Sequence, residues 1–298
     1  MHSHRASVMT DSLEVLRHRV DGAVDLQAVV RTMKAMSAAN ITQYENAVHA
    51  LDEYYRTVEL GLVACLKHPE LQLSQMAPDT TPVNTVVIVF GTDQGLVGQF
   101  NDRLIEYFHE MRPTLKGTLK LWAVGERIRD QLDDAGLALQ GCFNVPGSVN
   151  AITALVADIL VATAAYWEVG TTNALYLYHH RPGELSGQYQ PEVHRLLPLD
   201  ARWQQQLKQE PWPNNNLPET LGSGTATLSA LIREYLFVSL YQACAESLAS
   251  ENASRLVAMQ RAEKNIDEML DELRHAYHHQ RQEAIDSELF DVVSSLIE

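Results

Sequence analysis

The sequence predicts an α/β protein in which two long terminal helices form an antiparallel coiled coil, with a small α/β domain inserted between them. The stretch from Thr225 to Glu298 contains neither glycine nor proline, and only Gly22 and Gly61 precede Pro69. An interior glycine costs a helix ~1 kcal/mol and a proline ~3 kcal/mol relative to alanine, so both ends are free to form long helices. Between them, β-branched runs alternate with helical patterns, which is typical of a mostly parallel sheet.

The amino-terminal helix is predicted from Ser12 to about Leu66, where apolar residues recur at intervals of three and four. Asp11 or Ser12 is the predicted N-cap. The pattern is longer than the ~25 residues beyond which a coiled coil becomes the expected structure. The predicted stripe consists of Leu13, Leu16, Val20, Ala23, Leu26, Val30, Met33, Met36, Ile41, Tyr44, Val48, Leu51, Tyr55 and Leu62.

The centre of the chain changes to the pattern of a small, Rossmann-like α/β domain. Continuous runs of β-branched and aromatic residues predict buried strands, and helical patterns separate them. A segment rich in proline, asparagine and glycine, 209–224, is predicted to be a linker. The predicted strands are 85–90, 119–124, 174–179 and 191–199, and the predicted helices are 99–112, 126–135 and 151–167.

The carboxyl-terminal helix is predicted to begin near Thr227. At 1.5 Å per residue it would reach ~110 Å, so it must find most of its packing partners outside its own globule. The predicted domains are 1–68 and 216–298 for the two coiled-coil helices and 69–215 for the α/β domain. A heptad seam runs through Ile266, Leu270, Leu273, Tyr277, Gln280 and Ala284.

Composition excludes several functional classes. The net charge of −15 argues against broad nucleic-acid binding, which needs a basic surface. No apolar run approaches the ~18 residues of a membrane span, so no direct membrane insertion is expected. The three cysteines are far apart and odd in number, which suits a reducing, cytoplasmic compartment and offers no metal spacing.

Two motifs have a chemical interpretation beside a structural one. The turn from Gly91 to Gly98 follows a strand and precedes a helix, as a nucleotide cradle does. It lacks the Lys-Ser/Thr of a phosphate loop and the G-x-G-x-x-G spacing, so Gly91, Gly95 and Gly98 are predicted to serve tight turn geometry.

The histidines on the last helix are the second motif. His275 and His279 are spaced to hold zinc, but no H-E-x-x-H arrangement accompanies them, and a solvated face is expected. No catalytic, cofactor or metal site is predicted, and the chain is not expected to be an enzyme by itself.

The carboxyl helix also carries a sequence that resembles a known family. Residues 246–259 read E-S-L-A-S-E-N-A-S-R-L-V-A-M, similar to the E-x-L-A-S-E-x-x-A-R-M-x-A-M of gamma subunits of F-type ATP synthases. Only Ser254 and Leu256 depart from that pattern. Residues 92–98 resemble the family's T-D-x-G-L-C-G turn, and residues 281–289 resemble its R-Q-x-x-I-T-x-E-L segment. Residues 31–38 are similar to K-A-M-x-M-V-A-A.

The resemblance implies a central-stalk rotor without catalysis or cofactor of its own. Its coiled coil would enter a hexamer of alpha and beta subunits. Its α/β domain would stay outside, near the epsilon subunit and the membrane c-ring. The complex would lie on the cytoplasmic face of a bacterial cell membrane and couple hydrogen-ion or other ion transport to ATP synthesis.

Residue roles carried over from the family place contacts with the surrounding sleeve on both helices, and the end of the shaft at Val293, Leu296 and Ile297. Asp286 stands where the family usually has threonine, and the amino helix is more acidic than usual. These departures are typical of a divergent member, such as one encoded by a second ATPase operon. The implied sleeve contacts are Met33, Lys34, Arg255, Arg281, Gln282 and Asp286.

Two alternatives remain at this point. A free-standing α/β enzyme with a helical arm would need a convergent polar pocket, which the sequence does not display. A coiled-coil adaptor unrelated to ATPases would explain the ends of the chain but not residues 246–259.

Overall fold

The computed structural model describes residues 13–67, 83–166, 173–183, 187–199 and 224–297. The predicted N-cap, the predicted domain boundaries at 68/69 and 215/216, and all but the last residue of the predicted linker lie outside these ranges. The chain divides into two compact units. We call Met1–Met36 with Val257–Glu298 the helical unit, and Ser37–Leu256 the sheet unit.

Two long helices account for the breaker-free ends of the sequence. Helix α1 covers Leu13–Lys67, close to the predicted 12–66, and helix α5 covers Gly224–Ile297, which begins close to the predicted start near Thr227. The elements between them are β1 (Asn84–Phe90), α2 (Phe100–Met111), β2 (Thr118–Val124), α3 (Glu126–Asp134), β3 (Leu139–Phe143), α4 (Val149–Thr163), β4 (Asn173–Pro182) and β5 (Tyr189–Leu197).

The sheet is mostly parallel, as predicted, with strand order β3-β2-β1-β4-β5. Strand β1 pairs in parallel with β2 and β4, and β2 pairs in parallel with β3. Strand β5 returns antiparallel to β4. The sequence did not predict β3, because its residues Leu-Gln-Gly-Cys-Phe form no continuous apolar run.

Both faces of the sheet are covered, which explains the unbroken apolar run of β1. Val87 and Val89 pack with helices α2 and α3 on one face. Ile88 and Phe90 pack on the other face with α4 and with the parts of α1 and α5 that belong to the sheet unit. All four side chains are at most 1% exposed. Because both faces of the strand are buried, apolar side chains occupy every position from Val86 to Phe90.

Helix α4 corrects the prediction that no segment is apolar enough to span a membrane. Val149–Tyr166 passes that test by length and composition, with a mean hydropathy of 1.7. In the structure Ile152, Val156 and Ile159 are buried in the core of the sheet unit. Asp158 lies on the exposed side of the helix. This is the arrangement of a helix that covers one face of a sheet.

In the helical unit, α1 and α5 pack as an antiparallel pair. Ala23 and Val30 of α1 are buried against Met259, Ile266 and Leu270 of α5. Direction follows from the polar contacts, because Gln27 contacts Asp267 while Arg31, one turn later, contacts Glu263. The predicted seam on α5 is therefore confirmed where it begins.

Two predicted members of the α1 stripe are wrong. Leu26 is 56% exposed and Met36 is 60% exposed. Buried residues recur every seven positions, at Leu16, Ala23, Val30, Ser37 and Tyr44, and all of these except Ser37 belong to the predicted stripe. A seam between two helices admits the heptad positions and leaves adjacent apolar residues outside.

Candidate functional site

A polar stripe of α5 binds the helix to the ends of two central strands of the sheet. Ser247 Oγ donates a hydrogen bond to the carbonyl oxygen of Phe90, the last residue of β1, at 3.3 Å. Ser250 Oγ donates to the carbonyl oxygen of His180 near the end of β4, at 3.2 Å. Both serines are at most 4% exposed. Short hydroxyl side chains let the helix approach these carbonyls and satisfy them.

Directly before Ser247, and one turn before Ser250, a buried acid joins α5 to β4. Glu246 Oε2 lies 2.9 Å from His179 Nε2, and Gln242 Nε2 donates to the other carboxylate oxygen at 3.0 Å. Burial by itself would raise the pKa of Glu246, but the hydrogen bond and charge of His179 together hold this pKa below its usual value. Glu246 therefore stays ionised in the core, with both oxygens bonded.

The next residue of β4, His180, is fully buried and neutral. Its Nε2 lies 2.8 Å from the carbonyl oxygen of Phe100, so this nitrogen must carry the hydrogen. The imidazole packs between the rings of Phe100 and Tyr189, with centroid distances of 4.3 and 4.8 Å. Burial lowers the pKa of His180 to about 4.

Further along α5, Arg255 bonds to a residue of its own helix. Its Nη2 lies 2.5 Å from Glu251 Oε1, and the two side chains are only 13% and 8% exposed. Asn252 contacts Asn40 of α1 at 3.3 Å within the same unit. The structure thus gives the predicted sleeve residue Arg255 a contact inside the sheet unit.

The glycine turn is bonded to itself and to its neighbours. Asn101 Nδ2 donates to Thr92 Oγ1 at 3.0 Å, and Thr92 Oγ1 donates to the carbonyl oxygen of Gln94 at 3.0 Å. The carboxylate of Asp93 accepts from the backbone N–H groups of Glu126 and Val145, both at 2.9 Å. The acid of the turn therefore occupies the amino end of α3, where an anion would otherwise bind.

The backbone geometry requires glycine at Gly91 and Gly98, whereas at Gly95 a Cβ would meet only the mobile end of an arginine side chain. A Cβ at Gly91 would lie 2.3 Å from the Cβ of Ile128, and one at Gly95 would lie 2.8 Å from Arg127 Nη2. Gly98 has φ +59°. A half-open cleft of about 270 Å³ beside the turn is lined by Asp102, Asp130 and Asp134 as well as Arg127. Carboxylates repel phosphate, so the cleft does not favour a nucleotide.

In the helical unit, the predicted sleeve residues of α1 also have internal contacts. Lys34 Nζ lies 2.5 Å from Glu263 Oε2, and Arg31 Nε lies 2.9 Å from Glu263 Oε1. Met33 packs against the buried seam. These residues hold α1 and α5 together at this level.

The far end of α5 presents its predicted functional residues to solvent. Arg281, Gln282 and Asp286 are exposed. Large apolar side chains are exposed beside them, including Phe290 at 73% and Val293 at 50%. Leu296 and Ile297 lie in the last turn of the helix, where only the backbone is described. Within the described part of the chain, no group of three or more His, Cys, Asp or Glu side chains could hold a metal ion.

Comparison with known families accounts for this arrangement. A family described as ATP synthase matches residues 12–296, nearly the whole chain. The chain belongs to the ATP synthase gamma family. The match leaves neither the free-standing enzyme nor the unrelated adaptor with an observation in its favour.

Solved structures share the fold of this gamma subunit at low sequence identity. A rotor chain of the Euglena gracilis mitochondrial ATP synthase is 18% identical, with a TM-score of 0.61, over 92% of this chain and 98% of that chain. A second chain from that enzyme is 17% identical, with a TM-score of 0.61 and coverages of 96% and 93%. A Tetrahymena thermophila central-stalk chain is 19% identical, with a TM-score of 0.56 and coverages of 78% and 99%.

Sequence reasoning found the segment 246–259 but not the residues that it contacts. His179, His180 and the carbonyl of Phe90 lie far from it in the sequence. A signal was present, because the polar residues Glu246, Ser247, Ser250 and Glu251 stand among apolar ones such as Ala245, Leu248 and Ala249. Buried polar side chains on such a face need partners on the opposing element.

Proposed function

We propose that this gamma subunit turns as the central shaft of an F-type ATP synthase. The observation that carries the proposal is the antiparallel pairing of α1 and α5 in the helical unit, together with the family match over residues 12–296. The chain itself catalyses nothing. Rotation would bring different shaft faces against each beta subunit and shift the populations of their nucleotide-binding states.

Exposed apolar residues on the helical unit support enclosure by a protein sleeve. Helix α1 exposes Val24, Leu26, Val29 and Met36, each by at least 40%. Near its end α5 exposes a further group. Exposed apolar patches of this kind mark protein-interaction surfaces. The exposed group on α5 is Ile285, Leu289, Phe290, Val292 and Val293. We assign the end of the shaft to Val293, Leu296 and Ile297.

Arg281 and Gln282 are the contacts that we place first against the sleeve. Both are exposed on α5, and a guanidinium can make two parallel hydrogen bonds to a partner carboxylate. Asp286, about one and a half turns further on, adds a negative charge that would weaken attraction to an acidic sleeve. Met33, Lys34 and Arg255 remain proposed contacts, but each also has a contact inside its own unit.

The partners that we propose are the hexamer of alpha and beta subunits, the epsilon subunit and the membrane c-ring. Through the c-ring, the shaft would couple ion transport to ATP synthesis at the cytoplasmic face of a bacterial cell membrane, as a peripheral part of the complex. The acidic departures of the sequence support a divergent member, such as one from a second ATPase operon.

Reconstitution with cognate alpha and beta subunits tests the proposal. We expect a stoichiometric complex in which a bead attached to the sheet unit rotates when ATP is added. Phe290→Asp should weaken assembly, because it places a charge on the exposed apolar end of α5. Val161→Asp, at a position 78% exposed on α4, is the matched control and should assemble normally. Failure of the unmodified chain to assemble or to rotate would contradict the shaft function.

A further inference from the structure

The half-open cleft beside the glycine turn, between α2 and α3, carries an excess of negative charge. Three carboxylates line it, those of Asp102, Asp130 and Asp134, and the single cation among the lining residues is Arg127. Asp130 is bonded to Arg129 at 2.8 Å, whereas neither Asp102 nor Asp134 forms an ion pair with another described residue. The charge of two acids is therefore left without a counterion of this chain.

Two amide oxygens among the residues that line the cleft accept no hydrogen bond from any described residue. Asn101 is only 7% exposed, and its Nδ2 donates to Thr92 while its Oδ1 is buried and unpaired. Gln131 donates through Nε2 to Asp102 at 2.9 Å, and its Oε1 is likewise buried and unpaired. Buried acceptors without a donor are costly, so these oxygens favour a ligand that donates hydrogen bonds.

The direction of helix α3 adds negative potential at the same place. The helix ends at Asp134, and its last turn contains no basic residue. The carbonyl groups at the carboxyl end of a helix carry a partial negative charge that favours cations, so the consecutive acids Asp133 and Asp134 are unfavourably placed there. A cation bound in the cleft would offset this repulsion.

A guanidinium group suits these acceptors better than a metal ion does. The acids do not converge, because within the described part of the chain no group of three or more His, Cys, Asp or Glu side chains could hold a metal. A guanidinium presents five N–H donors in a planar fork, so it can bond to amide oxygens and a carboxylate together. An ammonium group is a compact point charge and reaches fewer separated acceptors.

An exposed apolar residue at the cleft favours a protein segment over a free cation. Leu96 also lines the cleft, is 62% exposed and has φ +62°. Leucine rarely adopts this left-handed conformation, and such outliers cluster where a protein contacts a ligand. Leu96 offers an apolar contact to the residue next to an arginine on a bound segment.

We propose that this cleft binds the arginine side chain of a partner protein segment, with an apolar neighbour of that arginine packed on Leu96. The guanidinium would neutralise Asp102 and Asp134 and donate to the amide oxygens of Asn101 and Gln131. The proposal goes beyond the shaft function, because the cleft lies within the sheet unit and binding there does not require rotation.

Titration of the full-length chain with end-blocked tetrapeptides tests the proposal. The first peptide has an arginine beside a leucine, the second has neutral citrulline instead of the arginine, and the third has glycine instead of the leucine. The NMR signals of the Asn101 and Gln131 side-chain amides report occupation of the cleft. The first peptide should bind about tenfold tighter than the citrulline peptide, because charge-assisted hydrogen bonds are about twice as strong as neutral ones. It should bind about threefold tighter than the glycine peptide, the scale of one partly covered apolar side chain.

Matched variants separate the cleft from the net charge of the chain. Asp134→Asn should lower the affinity for the first peptide about threefold, which is the scale of one exposed charge. Asp158→Asn is the same change at an exposed position of α4, on the opposite face of the sheet, and should leave the affinity unchanged. Leu96→Ala should remove the preference for the leucine peptide over the glycine peptide. Equal effects of the two aspartate changes, or equal affinity for arginine and citrulline peptides, would overturn the proposal.

Two small ligands distinguish a segment site from a general cation site. Agmatine, a free guanidinium compound without a neighbouring residue, should bind more weakly than the first peptide. Calcium chloride at constant ionic strength should not displace the peptide. Tighter binding of agmatine, displacement by micromolar calcium, or no change in either amide signal at millimolar peptide would each overturn the proposal.

Discussion

His180 carries the clearest pH dependence at the scale of single residues. Its folded pKa of about 4 lies below its ordinary value of 6.5, because burial penalises the charged ring. When pH falls, the unfolded chain binds the proton first. The stabilising contribution is therefore complete above about pH 6.5 and is lost as pH falls toward 4.

We expect His180→Gln to remove this part of the pH dependence. The amide of glutamine can still donate to the Phe100 carbonyl, but it does not titrate. Between pH 6.5 and 4 the unmodified chain should lose on the order of 3 kcal/mol more unfolding free energy than the variant. Urea unfolding of both chains across this range is the measurement. The difference between chains cancels His194 and Glu246, and parallel pH profiles would contradict the assignment.

Gly91 offers a second test at this scale. The glycine directly follows β1 and packs against Ile128 of α3, so a methyl group there would overlap the Ile128 side chain near its backbone attachment. Gly91→Ala should lower the unfolding free energy by about 1–3 kcal/mol, as expected for overpacking. Gly147→Ala, where nothing lies within 4 Å of the new Cβ, should change it by less than ~0.5 kcal/mol. Thermal melting of the two variants decides, and equal melting temperatures would exclude overpacking at Gly91.

At the scale of single residues, a need for glycine in a tight turn is easier to predict from the sequence than the partner of a polar side chain. The turn glycines followed from their place between a strand and a helix, which is local information. The contacts of Glu246, Arg255 and Lys34 could not be predicted in the same way. Each depends on which element lies opposite, and Glu246 meets His179 at a separation of 67 residues. From the sequence of a helix alone, a charged residue that contacts a partner protein cannot be distinguished from one that bonds within its own chain.

The two long helices could be predicted as elements, and so could most of the buried positions along them. On α5, Ile266 and Leu270 are buried and Leu273 is partly buried, as the heptad spacing indicated. On α1, Leu26 was chosen for its apolarity, although the heptad position falls on Gln27, which is half-buried and contacts Asp267. Strand β3 was not predicted because its sequence is not apolar enough to be recognised as a strand. It lies at the edge of the sheet and carries Gln140 and Gly141.

The buried bond between Glu246 and His179 is expected to make a large contribution to the unfolding free energy, because it joins α5 to the sheet. Glu246→Ala should lower the unfolding free energy by about 3 kcal/mol or more, because it leaves His179 buried beside an empty site. Glu268→Ala on the same helix removes an exposed pair with Lys264 and should cost at most ~0.5 kcal/mol. Urea denaturation of the full-length variants gives both values. Similar costs at the two positions would mean that the buried pair does not anchor the helix.

For the whole molecule, the distribution of glycine and proline was the most informative property of the sequence. It predicted two long helices around an α/β domain, and that architecture is present. The division into two units could not be predicted. The part of α1 after Met36 and the part of α5 before Val257 belong to the sheet unit, and residues such as Leu62 and Leu236 complete its core. Tertiary packing determines where one helix passes from one unit to the other, and periodicity does not change there.

The assembled complex gives the last prediction, which concerns Arg281 and Gln282. Arg281→Ala combined with Gln282→Ala should lower ATP turnover of a complex reconstituted with alpha and beta subunits severalfold, because a forked guanidinium contact is lost with its neighbouring amide. Thermal melting of the isolated variant should change little, since both side chains are exposed in the free subunit. The matched control is Gln260→Ala with Arg261→Ala, the same two residue types, also exposed on α5 in the helical unit. That pair should retain normal turnover. If the complex assembles and both variants turn over ATP equally, Arg281 and Gln282 do not transmit force to the sleeve, while the apolar end of α5 remains the place where contact is expected.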